Sequence, residues 1–427
     1  MSLLVLFGSF GLLVGLQVPI AIAMGFAGAA YLMLDPVFPT LIMVQRMARG
    51  IHSFPLLAIP LFILAGHLFN HAGIASRIFG FANALVGHIR GGLAHVNILA
   101  SIIFAGMSGV AAADAAGLGA VEIRAMRKAG FSAPFSAAIT AASAIIGPIV
   151  PPSVIMVLYA VMAQVSIAGM FLAGIVPGLL MGLLLMGTVY TMARSGRIEG
   201  SKQNRVSLRE LATSFVAAGP AIAAPVLLVG GLLLGVATPT ELGALTCIYA
   251  IVLGFSYRQL TARRLLAAFS ETITSCGVIL LLIAVGIPFG WIVAVNNLPA
   301  ELSSFLTGLS DNPLIILAMI NVGLLIAGAV MEAAAILLIA VPIVLPLVQS
   351  IGIDPVHFGV IVVLNLVIGV TTPPFGMILF IMMDIAEVRM SELVKAILPF
   401  YIPIFAVLIL VILVPEITLF VPRLLGY

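Results

Sequence analysis

Charge is scarce in this chain. Among 427 residues there are 18 Lys and Arg and 15 Asp and Glu, together 8% of the total, where soluble domains carry about 25%. With 63% hydrophobic residues and a mean hydropathy of +1.31, that shortage excludes a large soluble domain. It predicts an all-α protein crossing the membrane many times, with room for roughly a dozen spans of about 20 residues. Cysteine is nearly absent too: Cys247 and Cys276 both sit in apolar runs, which argues against a disulfide framework or a thiolate metal site. There is no His-Glu-x-x-His, no nucleophile elbow and no clustered set of metal ligands, so a membrane-embedded enzyme has no support. The net charge of +3 falls in loops between apolar spans. Positive-inside asymmetry explains it without nucleic acid as a partner.

Lys and Arg are missing altogether between Arg264 and Arg389, where the charges are acidic: Glu271, Glu301, Asp311, Glu332, Asp354, Asp384 and Glu387. Such a region is suited to cations rather than anions, although loop placement alone produces the same bias. At the amino end, Met1 to Leu34 has neither a preceding basic residue nor a cleavage site and reads as a first membrane helix rather than a signal peptide. Pro60 is expected to kink or shorten the next apolar run. His67 and His71, spaced i, i+4 with no third ligand or acid in sight, read as membrane-edge residues. Arg124, Arg127 and Lys128 mark a polar, cytoplasmic surface. A basic linker between Arg194 and Glu210, carrying Arg197, Lys202, Arg205 and Arg209 against Glu199, divides the chain into halves 1–210 and 211–427. Thr238-Pro-Thr-Glu241 reads as a helix start, with a threonine cap and Glu241 in the first turn.

Two stretches stand out from the apolar runs around them. Ser143 to Ser153 (Ser-Ala-Ile-Ile-Gly-Pro-Ile-Val-Pro-Pro-Ser) returns in altered form as Asn365 to Gly376 (Asn-Leu-Val-Ile-Gly-Val-Thr-Thr-Pro-Pro-Phe-Gly). Each sets a glycine four residues before a Pro-Pro pair, which no continuous helix accommodates. Freed backbone at membrane depth is tolerated only in a protein interior or beside a polar cavity. The match extends at an offset of about 222: Ser143 with Asn365, Gly147 with Gly369, Ala105-Gly106 with Ala327-Gly328, and Asp114 with Glu332 after a small gap. Asp114, flanked by Ala and Gly, either faces a cavity or cation or caps the helix leading to Glu122. Each half thus offers an acid-bearing re-entrant hairpin followed by a broken helix, the pattern of inverted-repeat secondary transporters.

The breaks carry the chemistry. Sodium wants several oxygen ligands, and unwound backbone supplies carbonyls with nearby hydroxyls. The candidates are Ser108, Gly109, Asp114, Gly147, Pro148 and Val150 in the first half, and Gly328, Glu332, Gly369, Thr371 and Thr372 in the second. Half-helix amino ends facing the same cavity favour a substrate carboxylate.

These motifs resemble the large membrane subunit of tripartite ATP-independent periplasmic (TRAP) transporters. The resemblance rests on Ile59-Pro-Leu-Phe-Ile-Leu-Ala-Gly66, Met107-Ser-Gly with Ala113-Asp-Ala-Ala, and Ala141 to Ser153, and continues through Gly235 to Glu241, Gly352 to Gly359 and Thr372-Pro-Pro-Phe-Gly376. It implies a sodium-driven symporter of the bacterial inner membrane that takes an organic acid from a separate periplasmic binding protein and works with a small four-helix membrane subunit. It also implies a static scaffold and a mobile elevator domain, with sodium held by the hairpins and broken helices. Two departures are visible. Val110 stands where a second serine is frequent, and Met331-Glu332-Ala333 where Met-Asp-Pro is frequent. A one-component sodium/carboxylate carrier of similar repeat architecture, needing no binding protein, is the alternative.

Overall fold

The computed structural model describes residues 2–198 and 205–427, and the described residues contain helices and no strand. Among the described residues seven helices are long and apolar enough to cross a membrane, and other apolar helices are shorter, at 10–17 residues. The sequence expectation of one amino-terminal helix is corrected at once. Residues 2–34 form two helices packed on each other, α1 (Ser2–Gly15) and α2 (Ile20–Leu34). The reversal needs a residue in the left-handed region, supplied by Gln17 at φ 63°, and Pro19 then caps α2, where its missing N–H costs nothing.

After α3 (Leu41–Ile51), a short 3-10 turn at Phe54–Leu57 leads into α4 (Ala58–His71) and α5 (Ile74–Val86). Pro60 stands in the first turn of α4, so it starts this helix and does not kink it. Then come α6 (Gly92–Ser108), α7 (Ala111–Lys128), α8 (Ala133–Ala144), α9 (Val154–Ala163) and α10 (Ile167–Arg194). Of the expected basic linker, Glu199 and Lys202 lie outside the described residues. The chain resumes in α11 (Leu208–Leu233), opened by a Ser207–Glu210 capping box. It continues into α12 (Pro239–Ser256), opened by the expected Thr238–Glu241 box. The long α13 (Ala262–Val295) and the short α14 (Leu298–Leu309) follow.

The chain then repeats itself: α15 (Pro313–Gly328), α16 (Ala333–Ser350), α17 (Pro355–Gly369), α18 (Met377–Ala386) and α19 (Met390–Leu413), closed by α20 (Glu416–Leu424). The starts of α6 to α10 and of α15 to α19 lie 221 to 223 residues apart: Gly92 and Pro313, Ala111 and Ala333, Ala133 and Pro355, Val154 and Met377, Ile167 and Met390. The halves are interlocked by exchange. The second arm of each hairpin lies against the short helix after the other half's break, α7 on α18 and α16 on α9. Likewise α8 lies on α19 and α17 on α10.

The core sits on the broken helices. Every residue from Ser136 to Ala144 on α8 and from His357 to Gly369 on α17 is buried. By contrast α11 and α12 turn large apolar side chains outward, among them Phe215, Val226, Leu227, Leu245 and Ile248. That is the surface a lipid environment covers.

Candidate cation sites at the two helix breaks

The first hairpin turns at Gly109, φ 65°, a conformation glycine adopts without strain. A Cβ here would collide with the Pro152 carbonyl oxygen, so the turn is seated directly on the first break. Val154 N also donates to Gly109 O at 3.4 Å. Just before the turn, the Ser108 hydroxyl donates to Asp114 Oδ1. Asp114 is 2% exposed, and its other oxygen, Oδ2, has no hydrogen-bond partner among the described residues. That oxygen points at the break, because a Cβ on Gly147 would collide with it. The capping alternative for Asp114 does not apply: the N-cap of α7 is Val110, with no side-chain cap bond.

The break itself follows from Pro148, which has no N–H to return to α8. The chain tightens instead, Gly147 N donating to Ala144 O at 3.2 Å and Val150 N to Ile146 O at 3.0 Å. Ser153 restarts the helix. Its hydroxyl donates to Pro148 O at 2.6 Å and accepts from Met156 N at 3.2 Å. Ser108, Gly109, Asp114, Gly147 and Pro148 are therefore brought together, whereas the Val150 side chain turns toward Gly178 on α10.

The second break is built differently. Gly328, ending α15, and Gly369, ending α17, touch backbone to backbone: a Cβ on Gly369 would lie 2.7 Å from Gly328 Cα. Phe375 N donates to Ala329 O at 3.3 Å, tying the second hairpin's turn to its break. The hydroxyls of Thr371 and Thr372 both donate to Ile368 O at 2.8 Å, and Tyr401 donates to Thr371 O. Glu332 does not join this group. It is the N-cap residue of α16, the place Val110 holds on α7, so the two acids paired in the sequence stand one helical turn apart in the repeat.

Glu332 instead lines a narrow cavity of about 90 Å³ between the halves. Gly109, Val110 and Pro148 reach it from the first half, Val367 and Val370 from the second. The first residues of both post-break helices, Val154 of α9 and Met377 of α18, line it as well. Two helix amino ends, each the positive end of its dipole, thus meet at one place.

Two polar links were not assigned from the sequence. Asn97 of α6 donates to Thr140 Oγ1 and accepts from Ser143 Oγ, both at 2.7 Å. In the other half Asn365 of α17 donates to Asn321 O and Oδ1 of α15 at 2.9 Å. Ser143 and Asn365 share a repeat position, and a polar residue there inside two apolar runs was the available signal. His67 and His71 also acquire an acid. Glu271, two hundred residues on, lies 3.1 Å from both, a pairing no local reading could supply.

The sequence profile described as tripartite ATP-independent periplasmic transporter, DctM component, matches residues 7–417. The chain is 44% identical over 425 residues to the sialic acid TRAP transporter large permease protein SiaM of Vibrio cholerae, covering 99% of each. It is 36% identical over 405 residues to the C4-dicarboxylate TRAP transporter large permease protein DctM of Pseudomonas aeruginosa, covering 95% of this chain and 94% of that one. Among solved structures, the YdaH transporter of Alcanivorax borkumensis superposes with a TM-score of 0.62 at 15% identity, over 92% of this chain and 96% of the other, a likeness of fold.

Proposed function

Because the chain belongs to the DctM-component family of tripartite ATP-independent periplasmic transporters, we propose that it is the permease of a sodium-coupled organic-acid symporter in the bacterial inner membrane. A periplasmic binding protein delivers the acid, and a small four-helix membrane subunit completes the complex. Relatives named for sialic acid and for C4-dicarboxylates support a carboxylate as substrate, and so do the two helix amino ends that share a cavity.

The observation that carries sodium coupling is Asp114. A buried carboxylate with one oxygen satisfied by Ser108 and the other unpartnered is costly until a cation neutralises it. The donor set suits a hard cation: the carboxylate and hydroxyl of Asp114 and Ser108, with backbone oxygens of Gly109, Gly147, Pro148 and Val150 close in the chain. The second site uses Gly328, Gly369, Thr371 and Thr372, with Glu332 at the edge of the shared cavity. Halves 1–210 and 211–427 are inverted repeats. Their hairpins and broken helices, α6 to α9 and α15 to α18, form the elevator domain, which moves against a scaffold of the remaining helices.

The test is uptake by proteoliposomes holding this chain, the small subunit and a loaded binding protein, with and without an inward sodium gradient. Uptake indifferent to sodium ends the coupling reading. Uptake by this chain alone ends the tripartite one in favour of a one-component carrier.

A further inference from the structure

The first hairpin holds a second buried acid that the sodium site does not use. Glu122 lies two turns beyond Asp114 on α7 and is 1% exposed. Neither of its carboxyl oxygens has a hydrogen-bond partner among the described residues. Its surroundings follow from the residues one turn to either side. A Cβ on Gly119 would stand 2.8 Å from Thr140 Cγ2, and Met126 Sδ receives Asn97 Nδ2 at 3.8 Å. Glu122 therefore sits on the face that α7 turns toward α8 and α6.

The polar groups along that face are already committed. Thr140 Oγ1 accepts from Asn97 and donates to Ser136 O at 2.8 Å, Ser136 donates to Ser132 O at 2.9 Å, and Ser143 donates to Asn97. Among the described residues no cation is paired with Glu122. Of the helices packed against α7, α8 carries no ionisable residue, α6 has His95 bonded to Arg90 O, and α5 has Arg77 stacked over Tyr257. On α4, His67 and His71 face Glu271, and on α18 Asp384 is exposed. On α7 itself Arg124, Arg127 and Lys128 are exposed, and Asp114 is buried two turns back.

A carboxylate so placed has to be neutralised. Sodium needs a shell of several oxygens beyond the carboxylate, whereas a proton needs none. We propose that Glu122 is a proton-binding site of the first hairpin, and that its proton and the cation at Asp114 oppose each other's binding. The second clause rests on the sodium reading above; the first does not. Eight residues of helix separate the two carboxyls by about 12 Å. At an effective dielectric near 20 that distance makes a charge on one worth about a factor of ten in cation affinity at the other. The effect is reciprocal.

The test compares the full chain with E122Q, reconstituted without sodium, by infrared difference spectroscopy between acid and alkaline pH. The wild type should show a protonated-carboxyl band that E122Q lacks. Sodium-dependent thermal stabilisation should have a higher midpoint at acid than at alkaline pH, in part because protons compete at Asp114 itself, and E122Q should shrink that shift by about tenfold. A band unchanged in E122Q, or no pH-sensitive band at all, overturns the proton site. A sodium midpoint that follows pH equally in both proteins overturns the antagonism, and in a D114N background a sodium-induced loss of the Glu122 band overturns the proton site in favour of sodium. If sodium stabilises neither protein, the sodium reading fails while the infrared comparison still decides Glu122. Should E122Q not fold, E122D replaces it: its protonated-carboxyl band should differ in frequency from that of the wild type, and an unmoved band counts against the proposal.

Discussion

The two helix breaks occupy the same place in the repeat and solve the same problem by different means. At the first, glycine makes room for a charge: Gly147 is bare so that Asp114 Oδ2 can lie against it. At the second, glycine makes room for another peptide, Gly369 lying on the Gly328 backbone. The first junction thus carries a buried carboxylate with an unpartnered oxygen. The second is neutral and is held by hydroxyls that donate to a single carbonyl, Ile368 O. A duplicated backbone therefore does not imply duplicated chemistry. One break buries a charge that its own residues do not fully satisfy, and the other is held by close backbone contact.

The sharpest way to break this comparison is Gly369→Ala. The added methyl meets backbone atoms at 2.7 Å, which cannot move aside as a side chain can. The expected loss is about 3 kcal/mol, the upper end for overpacking, seen as a lowered thermal midpoint in detergent and as lost uptake. Stability equal to wild type would mean that the second junction is looser than its geometry implies. Asp114→Asn comes next. It should fold, since it removes an uncompensated charge, yet weaken sodium activation of uptake roughly tenfold to hundredfold, the range of a charge-assisted contact. Undiminished sodium activation would make the first junction as neutral as the second.

Gly147→Ala should do less than Gly369→Ala to stability, because its methyl meets the end of the Asp114 side chain, which can swing. Its signature is a raised sodium requirement, about tenfold, in a protein of nearly normal thermal midpoint. A fall in stability matching that of Gly369→Ala would erase the distinction between the two glycines. Smallest of all is Thr372→Ala. It gives up one of two hydroxyl bonds to Ile368 O, worth about 1 kcal/mol, with a modest weakening of sodium dependence. Loss of all uptake would instead assign the Thr372 hydroxyl directly to the ion.

Much of this was legible before any coordinates. The Gly-Pro-Pro breaks, the capping box at Thr238 and the offset near 222 depend on local chemistry, and the helices start and stop where those residues dictate. The amino-terminal reversal was within reach as well, but Pro19 and Gln17 were passed over in an unbroken apolar run. The pairing of Asp114 with Glu332 was off by one helical turn, because aligning acids by charge ignores which position of the hairpin each occupies. The Asn97–Ser143 and Asn321–Asn365 links, and Glu271 between two histidines, join residues 44 to 204 positions apart. Such distances leave no periodic trace.

By itself, then, the sequence determined that this chain lives in a membrane, that it is built from two related halves and that each half is broken at one glycine-proline cluster. These follow from composition and from backbone rules that act within a few residues. Only the tertiary structure decided that Asp114 is partnered on one side and open on the other, that Glu332 looks into the shared cavity, and that Glu122 is buried without a donor. Whether a buried acid is paired depends on which side chains other helices bring within about 3 Å, and that is set by how the helices exchange neighbours.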